Sequence, residues 1–494
     1  MLFSTVKTHR IRIAKLDTIP SVGHDGLLSW ISAYKFVNGA SSIMKEGYDR
    51  FPSRAFKVPL MDRWMVVVSG PEMLEDIRKA AEHQLSLREA FNEAKIIHHT
   101  TRTLFSDSTF GKALRTDPYH VNIIRGTLTR SIGNRFPEVR EEMMAAFKDE
   151  IPVTDEWTKV PMLQKTLRIV CRTSNRLFVG SALCRDEEWK AINIEYTAKV
   201  FLAGQRISVC PKIFQPIVTR LINPLPAYHK RALKRLMPTI QDRLEERERD
   251  EDWKGPDDLL TWLINGAKAN EKGRLDPYNL VCRMMAINFA AIHTTAFTNA
   301  LYTFASHAEY MEPIRHEMEK CIQEDGWSKA AMSKMRMLDS FLKESQRCNS
   351  SRPFGVVRMA MENFTFSDGT VVPAGTLICT SPKGVHFDEK NYPEPNIFDP
   401  MRFYHMRERE GESTKHQMVA PEASYLSFGA GKNACPGRFF AVNELKLLLT
   451  HTLLNYDIKF DESEEDRPKR TEFAGRLNPD RKTQLMFRKR DVAW

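Results

Sequence analysis

Apolar residues recur at helical spacing through most of the chain. Between about residues 76 and 325 the sequence reads mainly as helices, which are separated by breaks that contain proline. The same spacing returns near the C-terminus, where it predicts a helix over residues 438–451 from Phe439, Val442, Leu445, Leu448 and Leu449. The pattern therefore predicts a mainly helical protein.

The longest predicted helix begins at Asp276-Pro277. Aspartate is a good N-cap, and proline suits the first helical turn because its missing N–H would be unpaired there anyway. The helix continues for about 30 residues through YNLVCRMMAINFAAIHTTAFTNALYTFASH and is apolar on most faces. A helix of this kind is expected to run through the interior of a large domain.

Strand patterns are short and lie at the two ends of the chain. FKVPL and RWMVVV read as strands before residue 75, and NFTFSDGTVVPAGTLICT alternates around an Asp-Gly turn that is typical of a hairpin. The expected fold class is therefore mainly α with small β-sheets.

Composition narrows the class of protein. The 494 residues carry a net charge of +10, but charges of both signs alternate and no basic stripe with interleaved aromatics appears, so nucleic acid is not an expected partner. The eight cysteines include no C-x-x-C pair for zinc, and their scatter fits a reducing compartment. No apolar run is expected to approach the roughly 20 residues that cross a bilayer.

One cysteine stands in a distinctive context, SFGAGKNACPGRFF. Cys435 follows a glycine-loosened turn and precedes Pro-Gly at the start of the predicted C-terminal helix. The helix dipole and free amides there favour a thiolate over a thiol. Such a thiolate is a nucleophile, a redox group or a metal ligand.

The stretch FGAGKNACPGRFFA resembles the haem-binding signature of the cytochrome P-450 family. The resemblance implies a cytochrome P-450 fold, with a long central helix over a haem (heme, iron protoporphyrin IX) and a cysteine loop near the C-terminus. It makes Cys435 the iron ligand and implies that the haem is bound by loop residues Phe428, Gly431, Lys432, Asn433 and Gly437. In the family a basic residue stands at the position of Asn433.

Two further motifs resemble those of the family. Glu344 and Arg347 form an E-x-x-R step on one helical face, and Arg402 stands in PMRF between that step and Cys435. The resemblance implies a buried structural network of these three residues that locks the cysteine loop.

The long helix carries AAIHTT, which resembles the family's oxygen-binding element. The resemblance implies that Thr294 and His293 are catalytic and supply protons. Ala291 replaces the usual glycine and His293 the usual carboxylic acid. His293 is a proton relay or a core histidine paired with a backbone carbonyl, and both alternatives stay open.

The remaining predicted positions hold the two haem carboxylates or line the substrate pocket. Arg125, in PYHVNIIR, and Arg358, after RPFGVV, are the candidate carboxylate partners. The expected pocket residues are Phe289, Ala290, Pro353, Phe354, Val356 and Phe473.

The resemblance implies a monooxygenase that uses O2 and, through a reductase, NADPH. AAIHTT is similar to fungal members that oxidise terpenoid or steroid-like skeletons, so a hydrophobic intermediate of secondary metabolism is the expected substrate. A haem-thiolate isomerase or dehydratase and a non-catalytic haem-binding module are the alternatives. NADPH-cytochrome P-450 reductase is the expected partner, with cytochrome b5 as a second candidate.

The expected organisation is a basic N-terminal segment, residues 1–18, followed by one monooxygenase domain with a minor β lobe, residues 19–494. Relatives in eukaryotes usually begin with an anchor helix, which is not found before Ile19. The expected location is the membrane surface on the cytosolic face of the endoplasmic reticulum.

Overall fold

The computed structural model describes residues 16–61, 63–93, 114, 117–208, 210, 214–250, 252–267, 272–292, 296–350, 352–461, 470–473, 476–478, 480, 482–492 and 494. Its helices are, in chain order, α1 Ser29–Arg50, α2 Pro71–Lys79, α3 Leu87–Glu93, α4 Tyr119–Ile123, α5 Phe136–Glu150, α6 Met162–Arg185, α7 Glu187–Ser208, α8 Gln215–Ile222, α9 Leu225–Arg249, α10 Leu259–Asn265, α11 Pro277–Ile292, α12 Ala296–Ser306, α13 Met311–Asp325, α14 Lys329–Lys334, α15 Arg336–Cys348, α16 Pro382–His386, α17 Arg402–Glu408 and α18 Arg438–Asn455. Helix α4 continues through a π-helical turn, Ile124–Leu128, and a last turn, Thr129–Ser131.

The strands are short, as the sequence predicts. They are β1 Phe56–Pro59, β2 Trp64–Val68, β3 Leu85–Ser86, β4 Thr158–Pro161, β5 Gly355–Ala360, β6 Phe364–Thr365, β7 Val371–Val372, β8 Leu377–Thr380, β9 Tyr456–Phe460, β10 Thr471–Phe473, β11 Arg476–Asn478 and β12 Gln484–Lys489. The mainly helical fold class with small sheets is therefore confirmed.

The largest sheet has the order β1-β2-β8-β5-β3, in which only β2 and β8 run parallel. A second sheet has the order β4-β12-β9, and β10 pairs with β11. The predicted hairpin is confirmed as β6 and β7, which pair antiparallel. Its turn contains Gly369 with a φ of 84°, a left-handed conformation that glycine adopts without steric cost.

The two helical cores meet at the long apolar stretch. Helix α11 contributes to a core shared with α4, α6, α7, α9 and α10. Helix α12 contributes to another core, shared with α5, α13, α15 and α18. The cysteine helix α18 lies mostly in this second core, but its Phe440 belongs to the first. Residues 293–295, between α11 and α12, lie outside the described residues.

The expectation that no apolar run reaches membrane-spanning length is wrong for one stretch, Pro277–Ser306, which is long and apolar enough to cross a membrane by length and composition alone. Of its most apolar window, 67% is buried inside the protein. A helix buried to this extent is typical of the core of a folded protein. This agrees with the prediction that the long apolar helix runs through the interior.

A buried ion pair organises the chain ahead of the cysteine loop. Both guanidinium donors of Arg347 that face Glu344 lie 2.7 Å from its carboxylate oxygens, and both side chains are fully buried. Arg402 donates to the same carboxylate at 3.3 Å. The structure therefore brings together the three residues of the predicted network.

Other guanidinium N–H groups of Arg347 and Arg402 donate to backbone carbonyls. Arg347 donates to the carbonyls of His386 and Pro395 at 2.5 and 2.8 Å, and Arg402 donates to that of Pro393 at 2.6 Å. The carbonyl of His386 ends α16, and those of Pro393 and Pro395 belong to the proline-rich segment that precedes α17. Because a guanidinium has five donors in a fixed fork, it can hold several chain segments at once.

His386 extends this network to the cysteine loop, and the motifs give no sign of it. Its Nε2 accepts the amide of Leu426 at 3.0 Å, so the proton is on Nδ1, which lies 3.2 Å from the Arg347 carbonyl. Burial lowers the pKa of His386 to about 3, so the ring is neutral. The imidazole thus connects α15 to a residue two positions before Phe428.

A buried carboxyl group lies on the cysteine helix. Glu444 accepts a hydrogen bond from the Ser174 hydroxyl of α6 at 2.6 Å. Burial raises the pKa of Glu444 to about 8. The hydrogen bond from Ser174 lowers this pKa, but by less. Asn175, which follows Ser174 in α6, donates to Asn288 of α11 at 2.7 Å. Helix α6 therefore joins α18 and α11 through polar contacts.

Replacement Glu344→Gln is expected to destabilise the protein by about 3–5 kcal/mol, because it leaves two buried guanidinium groups without their shared counter-charge. The urea midpoint and the yield of folded protein measure the effect. The matched control is Asp49→Asn, which breaks the exposed Lys45–Asp49 pair and should cost at most about 1 kcal/mol. Equal effects of the two variants would contradict the structural role of the network.

Stability is expected to fall as pH rises from 6 to 9. The folded pKa of Glu444, about 8, lies above the unfolded value, so the folded protein holds a proton that the unfolded chain releases, and this stabilisation is lost as pH rises through 8. The loss amounts to about 2–3 kcal/mol over this range. Urea midpoints at both pH values should show a smaller decline for Glu444→Gln than for the wild type. Exposed Glu410→Gln is the control and should keep the full decline.

Candidate functional site

The cysteine loop is a compact turn that glycines make possible. Cys435 follows a 3-10 turn, Gly431–Asn433, and its amide donates to the Phe428 carbonyl at 2.8 Å. Gly431 has a φ of 63°, and a Cβ there would lie 2.7 Å from Cγ of Arg78. Both the backbone conformation and the close approach therefore require glycine at this position.

Two backbone amides point at the Cys435 sulfur. The N–H groups of Gly437 and Arg438 hydrogen-bond to it and lower its pKa, but burial raises the pKa by more. The predicted preference for a thiolate is therefore not reached by the protein groups alone. Helix α18 begins at Arg438, so Pro436 lies in the turn before the helix and not in its first turn, as the sequence suggested. The amides that would stabilise a ligating thiolate are nevertheless in place.

Open space lies against the central helix. Ala290 is exposed and Phe289 and Ala286 are half-buried, although most of α11 is fully buried. The three positions are related by three- and four-residue steps, so they share one face. Phe289 is further held by an edge-to-face contact with Tyr196, with ring centroids 6.3 Å apart. An exposed face on an interior helix indicates an internal cavity.

A cavity of about 70 Å³ also connects the apolar stretch to the cysteine loop. Ala296 and Ala300 of α12 line it, together with Ser427, which precedes Phe428, and Leu445 of α18. The helix pair and the loop therefore border a common space. Phe428 itself is half-buried and packs against the core that contains α18.

Arg125 and Arg358 are cations without a carboxylate partner among the described residues. Arg125 is exposed and donates to the Lys432 carbonyl at 3.1 Å, which places it on the cysteine loop. Arg358 is buried and donates to the Val357 carbonyl at 2.8 Å, and burial lowers its pKa to about 10. Lys432 is exposed and Asn433 half-buried.

These features fit a haem. Its iron requires a sulfur that accepts backbone amides, and its two carboxylates require cations that the protein has left unpaired. The open face of α11 at Ala290, and the cavity that Ala300 of α12 and Ser427 line, leave space on the two sides where the long apolar stretch and the cysteine loop meet it.

The predicted pocket residues occupy different environments. Pro353, Phe354 and Val356 are buried, and Phe354 belongs to a core of the largest sheet. Val356 has a φ of 48°, which is unusual for a β-branched residue. Among the predicted pocket residues of α11, Ala290 borders open space most clearly.

Three predicted positions cannot be placed. His293 and Thr294 lie outside the described residues, so their catalytic roles stay predictions. The backbone of Phe473 belongs to β10, but its side chain lies outside the described part of the structure.

Arg352 is a residue of this region that the motifs did not single out. It stands between α15 and β5 in SSRPFG. Its charge, within a segment that was predicted to line the pocket, is the one feature of the sequence that could have drawn attention to it. Its side chain is exposed, and yet burial lowers its pKa, while the charge of Cys435 acts in the opposite direction.

Comparisons with known proteins agree with this geometry. The Cytochrome P450 family model matches residues 35–487. Cytochrome P450 monooxygenase 151 of Postia placenta is 40% identical over 488 residues, covering 97% of this chain and 95% of the relative. Cytochrome P450 monooxygenase paxQ of Penicillium paxilli is 31% identical and covers 98% and 93% of the two chains.

Among solved structures, the retinoic acid-bound cyanobacterial CYP120A1 superposes with a TM-score of 0.70 over 96% of this chain and 100% of that chain. At 18% sequence identity this likeness shows the fold alone. The family match and the fungal relatives, together with this likeness in fold, confirm the predicted haem cofactor and the predicted class of enzyme. The chain belongs to the cytochrome P450 family and is a haem-dependent monooxygenase.

Proposed function

We propose that this monooxygenase oxidises a terpenoid or steroid-like intermediate of fungal secondary metabolism, with electrons that a reductase delivers from NADPH. The observation that best supports an oxygenase site is the Cys435 sulfur, which receives two backbone amides in a loop that borders an internal cavity. The similarity of AAIHTT to an element of fungal family members supports the substrate class.

Haem supplies the chemistry that inserts one oxygen atom into a C–H bond and releases the other as water. Cys435 would ligate its iron, and Arg125 and Arg358 would hold its carboxylates. Phe289 and Ala290 form an apolar wall that excludes water and orients the substrate. His293 and Thr294 hold and move the protons that the reaction consumes.

The electron donor in this proposal is an acidic flavoprotein reductase, with cytochrome b5 as a second donor. Lys432 is exposed and lies in the cysteine loop, which supports docking of a negatively charged partner near the thiolate.

Peripheral membrane contact, at the cytosolic face of the endoplasmic reticulum, is supported by an exposed apolar face. Ile217 and Leu221 of α8 are 60% and 78% exposed, and Phe214 just before the helix is 54% exposed. Their three- and four-residue spacing puts them on one side of the helix. Trp30 and Tyr34 of α1 are also exposed.

Replacement Cys435→Ser is expected to abolish the carbon monoxide band of reduced thiolate-ligated haem, because a hydroxyl is a far weaker donor to iron. Oxidation of candidate terpenes with NADPH and a fungal reductase should be lost as well. Cys321→Ala, in the core away from the loop, is the control and should keep both. A normal band in Cys435→Ser would contradict the assignment of the ligand.

The double replacement Ile217→Glu with Leu221→Glu is expected to reduce binding to phosphatidylcholine–phosphatidylserine vesicles about tenfold or more, because charged side chains do not enter the bilayer. Co-sedimentation measures the bound fraction. Ile397→Glu, a 54% exposed position near α17, is the control and should bind like the wild type. Unchanged sedimentation of the double variant would argue against this face.

A further inference from the structure

A hydrogen-bonded group of side chains joins α7, α9 and α11 behind the open face of α11. Nε2 of His229, on α9, lies 3.4 Å from the Tyr196 hydroxyl of α7, and Nδ1 lies 3.1 Å from the Tyr278 hydroxyl of α11. The Tyr196 ring in turn makes the edge-to-face contact with Phe289. Three helices therefore meet at one imidazole, and the group ends on the aromatic residue that borders open space.

The imidazole suits this position because it is neutral. His229 is 1% exposed, and burial lowers its pKa to about 4. In a neutral ring one nitrogen donates a hydrogen bond and the other accepts one, whereas a hydroxyl does either. His229 can therefore serve both tyrosine hydroxyls in either tautomer. Tyr196 is buried as well, and its phenol requires a partner because an unsatisfied hydroxyl is costly away from water.

A second buried polar chain joins α7 to α11. Nε1 of Trp189, in α7, donates to Asn175 of α6 at 2.8 Å, and Asn175 donates to Asn288 of α11 at 2.7 Å. Trp189 precedes Tyr196 by about two helical turns, and Asn288 directly precedes Phe289. Directional bonds at two points leave α7 little freedom to slide or rotate against α11 near Phe289.

The orientation of the Phe289 ring is therefore set by hydrogen bonds as well as by packing. Phe289 is half-buried and packs against the core that contains Tyr196. Apolar contact alone would let the ring turn to suit different bound molecules. A satisfied buried polar network instead specifies one arrangement of the side chains around it.

We propose that Tyr196 and His229 are positioning residues of the substrate pocket. The hydrogen bond between them fixes Phe289 in one orientation, and this fixed wall sets which molecules fit beside the haem and which carbon they present. Both residues act through Phe289 without touching the substrate. The inference rests on the apolar wall of the proposed function but not on its terpenoid substrate class. It makes the enzyme selective for shape, because bulk that collides with Phe289 is excluded.

The test uses holoenzyme and two probes that coordinate the ferric iron through an imidazole nitrogen: imidazole itself and the wider 4-phenylimidazole. The red shift of the Soret band gives both Kd values, and the Kd of 4-phenylimidazole divided by that of imidazole measures how much bulk the wall admits. Phe289→Ala removes the wall and should lower this ratio about tenfold or more. Tyr196→Phe and His229→Leu should each lower it about three- to tenfold, which corresponds to the loss of one hydrogen bond.

Matched variants separate the hydrogen bond from packing. His229→Gln keeps a polar group near the position of Nε2 and should stay within about twofold of the wild-type ratio. Tyr228→Phe is the control for Tyr196→Phe: the Tyr228 ring packs edge-to-face on Tyr196, with centroids 6.0 Å apart, but its hydroxyl donates to exposed Glu195 at 2.8 Å. It should keep the wild-type ratio. Because both Kd values come from one preparation, a loss of folded protein cancels from the ratio.

An unchanged or higher ratio in Tyr196→Phe or in His229→Leu would overturn the inference. A shift in Tyr228→Phe as large as that in Tyr196→Phe would overturn it as well, because it would assign the effect to general packing of α7 on α9. The same holds if His229→Gln shifts the ratio as much as His229→Leu.

Failure of this inference is distinguishable from failure of the proposed function. If the wild type shows the reduced carbon monoxide band and oxidises a terpene but the ratio does not respond to Tyr196→Phe, only the positioning role is refuted. If the band itself is missing, the assignment of Cys435 is refuted first.

Discussion

One buried carboxylate, that of Glu344, sets the position of everything that leads to the cysteine loop. It is the shared counter-charge of Arg347 and Arg402, and these two arginines donate to the carbonyls of a proline-rich segment that has no regular secondary structure of its own. His386 then carries the connection from the Arg347 carbonyl to the amide of Leu426. Buried charges are tolerated when they are paired and hydrogen-bonded, so removal of one member leaves the other members of this network strongly unfavourable.

The site combines groups whose charges the protein disfavours. Burial raises the pKa of Cys435 and lowers that of Arg358, so in both cases desolvation acts against the charged form. Amide donors at the sulfur oppose this effect but do not exceed it. Such a cavity is suited to a cofactor that brings a metal and carboxylates of its own, because each then neutralises a group that the chain alone leaves costly.

Sequence reasoning predicted best what is encoded locally. The turn around Cys435, the hairpin at Gly369 and the E-x-x-R step depend on neighbouring residues, and the structure has all three. The net pKa direction of Cys435 was missed because it depends on burial by distant segments. The environment of Arg352 and the bridging role of His386 were missed for the same reason: neither is visible until α15, β5 and the cysteine loop are packed together.

The apolar stretch Pro277–Ser306 has a consequence for how the chain is made. While the nascent chain is being synthesised, this segment is one that lipid would accept, and the helices that later enclose its far end, such as α13 and α18, follow it in the sequence. By length and composition alone, partition into a bilayer and packing into the interior are both open to the segment until the C-terminal third has emerged. Arg283 and Asn288, polar residues within the stretch, favour the second outcome, because lipid offers them no partners whereas the folded protein does.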